Sequence, residues 1–307
     1  MTSQYQFAPG PLTIPLFVGT VINWALFGVL VVQVCLYFAA FRKDPRHTKF
    51  LVAAVFAAEV LQTLGCTHDT LHSFGDGWGD PAALDDVGWA WFSIPVLGSA
   101  IASAGQMFFA WRIYIISHRR LIPTIIALVT AFQFGAGIWS GTLVANARKF
   151  SLLQYRFFKT PVAWLASTAL ADSIIVGATV YYLLKLRQPG FNRSTDALLF
   201  RIIKVTAATG VVCAVFATLN LALFVKYPGN NYHLAVCIWL TKLYSNSILL
   251  ILNARASIWH ATSTAVASST GSATDLEFQR SGMATPDVTG TAASLVLSDG
   301  GEKIYAV

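Results

Sequence analysis

The first apolar block of this chain, Pro11–Phe41, contains no charged residue and is longer than a lipid bilayer is thick. At the rise of an α-helix, about 20 apolar residues cross the hydrocarbon core of a membrane. Inside lipid every backbone N–H and C=O must be satisfied, so only helices and closed barrels span it. The block is too long and too continuous for the alternating strands of about 10 residues that form barrels. It therefore predicts a membrane-spanning helix.

The rest of the chain repeats this pattern, and we predict an all-α, polytopic membrane protein with seven transmembrane helices. The 307 residues are 55% hydrophobic and 11% charged, whereas about a quarter of the residues of a soluble domain are charged. No basic residue precedes the first block, so it is predicted to be a retained helix rather than a signal peptide. The predicted spans are Ile14–Phe41, Phe50–Thr67, Val87–Trp111, Leu121–Ala147, Pro161–Leu184, Ile202–Val225 and Tyr232–Ala256.

The charges in the loops predict the orientation. Basic residues concentrate in the first, third and fifth loops, whereas the second loop is acidic and has no Lys or Arg. The positive-inside rule then places the N-terminus outside and the C-terminus in the cytoplasm, although Arg148 and Lys149 in the fourth loop oppose this assignment. We expect an extracellular segment 1–13, a transmembrane domain 14–258 and a disordered, Ser/Thr-rich cytoplasmic tail 259–307.

The expected surroundings follow from the same pattern. The net charge of +7 lies largely in loops between apolar blocks, which is typical of membrane orientation and not of nucleic-acid binding. The expected partner is therefore the lipid bilayer, and we place the protein in the plasma membrane. The hydroxyl-rich tail could bind a cytoplasmic signalling partner or be phosphorylated, or it could be an inert solvated segment.

Several short segments together resemble a known family. Three of them close or follow the second and third spans, and two lie within the fifth and seventh. They are Cys66–Asp69, Phe74–Asp80, Trp111–Tyr114, Ala171–Ile175 and Thr241–Ser247. This set resembles the seven-helix membrane proteins abundant in mushroom-forming (basidiomycete) fungi, a family of unknown function. The resemblance implies a multi-pass membrane protein, and it brings no activity, ligand or catalytic residue with it.

Four ionisable residues fall inside the predicted spans: Glu59, Asp172, Lys204 and Lys242. A charge near the bilayer centre is costly and is typical of pairing or function. Lys204 lies near the inner end of its span, where its long stem can reach the interface. The other three lie on polar stripes of different helices, and Asn246 is one turn from Lys242. We therefore predict a buried polar network, and a candidate ligand site, of Glu59, Asp172, Lys242 and Asn246.

Two interpretations of this network remain open. In the structural one, Lys242 pairs with one of the acids and the neighbouring amides and hydroxyls join the helices. In the functional one, the excess of acid over base leaves one carboxyl protonated or available for a cation or ligand.

At the predicted outer end of the second span, His68, Asp69 and His72 are weak candidates for a metal site, with His233 as a further ligand. The alternative is that His68 or Asp69 closes the helix end. Cys66 and Cys237 lie towards the same predicted face and could form a disulfide, but nothing in their spacing requires it and free thiols are expected. No cofactor is predicted.

The sequence favours a receptor- or sensor-like protein without enzymatic activity, which binds an unknown small ligand. The first alternative is a small-solute or proton transporter that uses Glu59, Asp172 and Lys242. A membrane metal-dependent hydrolase would rest only on His68, Asp69 and His72. A retinal protein, suggested by Lys242 in the last span, lacks a carboxylate in the third span to serve as counter-ion.

Overall fold

Seven helices long and apolar enough to cross a membrane make up the computed structural model, which describes residues 10–78, 80, 86–149, 157–186, 193–228 and 230–255. They are α1 (Gly10–Ala40), α2 (Arg46–Leu71), α3 (Leu97–Ser117), α4 (Leu121–Ala147), α5 (Lys159–Leu186), α6 (Arg193–Lys226) and α7 (Leu234–Arg255). A π-helical turn, His72–Asp76, extends α2, and another, Phe92–Val96, leads into α3. The described part of the chain contains no β-sheet, only an isolated bridge between Asp86 and Lys149.

The predicted all-α fold with seven membrane-spanning helices is thus confirmed. The predictions for the cytoplasmic tail, 259–307, and for most of the N-terminal segment, 1–13, fall outside the described residues. The orientation of the bundle in the membrane stays a prediction.

The second helix is longer than its predicted end at Thr67. It continues to Leu71 and through the π-helical turn. The hydroxyl groups at this end form hydrogen bonds within the helix: Thr67 donates to the Thr63 carbonyl and Thr70 to the Cys66 carbonyl, both at 2.7 Å. These polar residues are therefore compatible with a continuing helix.

The third span is displaced relative to its prediction. Its helical turns begin near Phe92 and not at Val87, because Gly88 has a φ of 51°, in the left-handed region that interrupts a right-handed helix. At the other end α3 passes Arg112 and ends at Ser117. The Arg112 guanidinium lies over the Phe108 ring, 5.9 Å from its centroid, and a charge shielded in this way is compatible with a continuing helix.

The helices pack mainly with their neighbours in sequence, from α1 against α2 to α5 against α6, and α3 also packs against α5. The exception is α7, which contacts α1, α2, α3, α5 and α6 through side chains. In its most apolar stretch 78% of the residues are buried, against 22% in both α1 and α4. Polar side chains on α7 are therefore the ones best shielded from lipid.

The α3–α4 interface depends on glycines in α4. A Cβ added to Gly137 would overlap Ser99 of α3 and lie 3.1 Å from the Pro95 carbonyl oxygen, and one added to Gly141 would lie 2.5 Å from Val96 Cγ2. Small residues allow helix backbones to approach closely in membranes. This close approach brings Thr130 of α4 within hydrogen-bond distance of Gln106 of α3, 3.1 Å away.

We expect Gly137→Ala to lower the free energy of unfolding by about 1–3 kcal/mol, the usual cost of overpacking. Thermal unfolding of the purified protein in detergent measures the effect. Gly135→Ala is the matched control on the same helix, since an added Cβ there has no atom within 4 Å. It should be neutral or slightly stabilising, because Ala has the higher helix propensity. Equal stability of both variants would contradict the close α3–α4 contact.

Candidate functional site

The first buried charge centre joins α2 to α7 and is called the Lys242 centre. Its members are Glu59, Gln62, Thr241, Lys242 and Ser245, all of them buried. The Lys242 ammonium contacts the Glu59 Oε2 atom directly. It also donates to Gln62 Oε1 at 2.5 Å and approaches the Glu59 main-chain carbonyl at 3.5 Å. An ammonium has three donors, and each of the three faces an acceptor.

The Glu59 carboxylate is equally well satisfied. Ser245 donates to its Oε1 at 2.5 Å, and Thr241 donates to its Oε2 at 3.2 Å. Gln62 completes the centre by donating to the Ile238 carbonyl at 2.7 Å. One positive and one negative charge thus cancel within a set of saturated hydrogen bonds, which is the arrangement a buried ion pair needs to be stable.

The second centre, called the Asp172 centre, joins α3, α4, α5 and α7. Gln106 Nε2 donates to Asp172 Oδ1 at 2.9 Å, and the Tyr244 hydroxyl donates to Asp172 Oδ2. Thr130 donates to the Gln106 carbonyl oxygen at 3.1 Å. All four side chains are buried. Within the described ranges no cationic group forms an ion pair with Asp172, so this carboxyl has polar partners but no balancing charge.

The structure therefore separates the residues that the sequence grouped together. Glu59 and Lys242 meet, whereas Asp172 lies in the other centre. Among the described side chains, α7 contributes to both centres, through Thr241 to the first and Tyr244 to the second. Lys204 is exposed on α6, and its place at the membrane interface stays a prediction.

Sequence reasoning missed Gln106, Thr130 and Tyr244 as members of the Asp172 centre. Gln106 is the only amide side chain in the third span, and this isolated polar residue in an apolar helix was a usable signal. Tyr244 gave none, because a tyrosine in a membrane helix is common at interfaces and packs as an apolar ring in the core.

Asn246 belongs to neither centre. Its amide donates to the Lys242 carbonyl at 2.7 Å and to the Leu26 carbonyl of α1 at 3.2 Å. Two turns later, Asn253 donates to the Gln33 carbonyl of α1 at 2.9 Å. Both amides therefore attach α1 to α7.

An ion pair that the sequence did not indicate lies near the C-terminal ends of α1 and α7. Arg255 Nη2 is 2.7 Å from Asp44 Oδ2, and the Tyr37 hydroxyl donates to the same oxygen at 3.0 Å. The pair connects the end of α7 to the loop that follows α1.

The three candidate metal ligands at the end of α2 have different surroundings. Asp69 Oδ1 accepts the Trp89 N–H at 2.8 Å and lies 3.2 Å from His68 Nδ1, while His72 is exposed. Among the residues that the structure describes, no three His, Cys, Asp or Glu side chains are placed to hold one metal ion. Asp69 therefore holds the following loop against α2. The alternative, that His68 or Asp69 closes the helix end, is wrong, because α2 continues to Leu71 and through the turn His72–Asp76.

His233 precedes α7 and lies away from these residues, with its ring 4.9 Å from that of Phe224 between centroids. Burial lowers the pKa of His233 to about 4, so its ring is neutral at neutral pH. Cys66 and Cys237 are both free thiols, as are the two other cysteines.

Two small cavities lie between the helices. The larger, of about 40 Å³, reaches Ser140, Pro161 and His233 near the helix ends. The smaller, of about 20 Å³, reaches Thr168, Asn220, Thr241 and Tyr244. The two share the lining residues Ile94, Trp164, Leu165 and Cys237. Pockets for drug-sized ligands measure about 300–1,000 Å³, so this conformation accommodates only very small molecules here.

Comparison with known protein families gives a match to part of the chain. Residues 168–257, from within α5 to the end of α7, match a family of unknown function, DUF6534. The matched part contains Asp172, Lys242 and Tyr244 but not Glu59. No curated protein and no solved structure matches the chain. The resemblance to a family of unknown function is thus confirmed, and it supplies no activity. The abundance of that family in fungi stays a prediction.

Proposed function

We propose that this multi-pass membrane protein is receptor- or sensor-like, without enzymatic activity, and that α7 is its responding helix. The observation that carries the proposal is that α7 supplies partners to both buried carboxyls within one turn. Thr241, Lys242 and Ser245 contact Glu59, and Tyr244 contacts Asp172. No movement of α7 can leave either centre unchanged.

A helix held in this way is expected to occupy a few discrete positions and not a continuous range of them. Lys242 and Glu59 are both fully buried, and separating them without new partners costs several kcal/mol. Small displacements of α7 are therefore resisted, and a change of state requires a new set of partners. Packed bundles with two such arrangements are the usual basis of switching transitions.

Asp172 is the group through which a signal would enter. Glu59 already has its cation, whereas Asp172 is held by neutral donors only. Its carboxyl is therefore either protonated or ready to accept a small cationic ligand. Binding at Asp172 would change the Tyr244 contact and so bias the position of α7. We propose that this happens in the plasma membrane and that a cytoplasmic partner reads the result.

Tryptophan fluorescence can test this proposal, because Trp239 of α7 packs against Phe216 of α6 with ring centroids 4.8 Å apart. We expect the emission of the protein in lipid nanodiscs to change when protons or small amines are titrated. The change should be lost in Asp172→Asn, and it should also be lost in Trp239→Phe, which identifies the reporter. An identical response in wild type and Asp172→Asn would refute the role of Asp172.

The second candidate is a proton or small-solute transporter. Two observations favour it: Asp172 has no balancing charge, and its partner Tyr244 lines the smaller cavity. Proteoliposomes containing a pH-sensitive dye distinguish the two functions. Proton flux that disappears in Asp172→Asn would support transport, whereas a fluorescence response without flux supports the sensor.

A further inference from the structure

Asn220 of α6 is a buried amide that the two centres do not use. Its side chain is 1% exposed, and its Oδ1 and Nδ2 atoms have no nitrogen or oxygen hydrogen-bond partner among the described residues. The Cys237 thiol is close enough to hydrogen-bond with it, but a thiol hydrogen-bonds only weakly. A buried polar group left unsatisfied costs about 1–3 kcal/mol, and native structures commonly satisfy such groups with internal water.

The smaller cavity has the size and the lining that a water molecule needs. Asn220 lines it, and its volume is about 20 Å³. A single water molecule occupies about 10–15 Å³ and needs two to four polar partners. Besides Asn220, the hydroxyl residues Thr168, Thr241 and Tyr244 line the same cavity.

Each of these hydroxyls retains capacity for a further bond. Thr168 donates to the Trp164 carbonyl at 2.9 Å, Thr241 donates to Glu59 at 3.2 Å, and Tyr244 donates to Asp172. A hydroxyl that donates its one proton still has lone pairs that accept. Since a water molecule can donate two hydrogen bonds, the hydroxyls and the Asn220 amide suit it as partners.

We propose that the smaller cavity is a binding site for one water molecule, held by the Asn220 amide and bridging the Lys242 and Asp172 centres through Thr241 and Tyr244. The bridge runs from Glu59 to Thr241, to the water, to Tyr244 and to Asp172. The larger cavity supplies the path of entry, because the two share four lining residues. The site does not depend on the proposed sensor function, and it makes the two centres one hydrogen-bonded network.

Radiolytic hydroxyl labelling tests the site, because bound water generates radicals next to the side chains that it touches. Trp164 and Cys237 line both cavities and are oxidisable. We expect both to be labelled rapidly in the wild-type protein despite their burial, and several-fold more slowly in Asn220→Leu. Asn23→Leu is the matched control: Asn23 is also buried, at 0% exposure, and without partners for its amide, but it lines neither cavity. Its labelling should equal that of wild type.

Equal labelling in wild type and Asn220→Leu, or an equal fall in both variants, would overturn the proposal. A high-resolution structure of the wild-type protein gives an independent answer if Asn220→Leu does not fold. Density for a water at about 2.7–3.2 Å from the Asn220 amide is expected. An empty cavity, in a map that shows other internal waters, would also overturn it.

Discussion

Replacing Lys242 with Met is expected to lower the free energy of unfolding by about 3–5 kcal/mol, the usual cost of removing one partner of a buried ion pair. Met fills nearly the same volume, so the loss comes from electrostatics and not from a cavity. The variant leaves the fully buried Glu59 carboxylate without its cation, and the Gln62 Oε1 atom loses the hydrogen bond that Lys242 donates to it. Thermal unfolding in detergent measures the effect, with the fraction of protein that remains monodisperse as the signal.

A second substitution separates charge from packing. Glu59→Gln in the Lys242→Met background removes the orphaned charge, and we expect it to restore much of the lost stability. Lys204→Met is the matched control, because Lys204 is also a lysine in an apolar helix but is exposed. It should have little effect. If Lys242→Met were as stable as Lys204→Met, the Lys242 centre would not hold α2 to α7.

The sequence was sufficient to predict the architecture. Long uncharged blocks such as Pro11–Phe41 have no stable alternative to spanning lipid as helices, and the structure follows that constraint. It was less informative about helix ends, because Asp69 accepts the Trp89 N–H across a loop in which Gly88 is left-handed. Such contacts between distant segments have no local signature.

The candidate site was predictable by residue but not by partner. Periodicity correctly indicated that Glu59, Asp172 and Lys242 would be buried, since each shares a helix face with other polar residues. Periodicity could not predict which acid forms the ion pair with Lys242, because that depends on which helices flank α7. Thr130 reaches Gln106, and through it Asp172, across the close α3–α4 packing that Gly137 permits.

We expect two substitutions of Asp172 to have very different effects on the free energy of unfolding. Asp172→Leu removes the acceptor of both Gln106 Nε2 and the Tyr244 hydroxyl. Two buried donors are then unsatisfied, each at a cost of about 1–3 kcal/mol. Asp172→Asn keeps the shape, with an oxygen that accepts one hydrogen bond and an amide that donates to the other partner. We expect it to unfold near the wild-type temperature in the same detergent assay.

The comparison of these two variants decides whether the Asp172 carboxyl has a functional or a structural role. If Asp172→Asn is stable but no longer responds to protons or amines, the carboxyl is dispensable for folding and is retained for its ability to change charge. If Asp172→Asn is as unstable as Asp172→Leu, the charge itself supports the fold, and the Asp172 centre is structural like the Lys242 centre. Because Glu59 is committed to Lys242, Asp172 is the carboxyl whose own charge can change without first separating a buried ion pair.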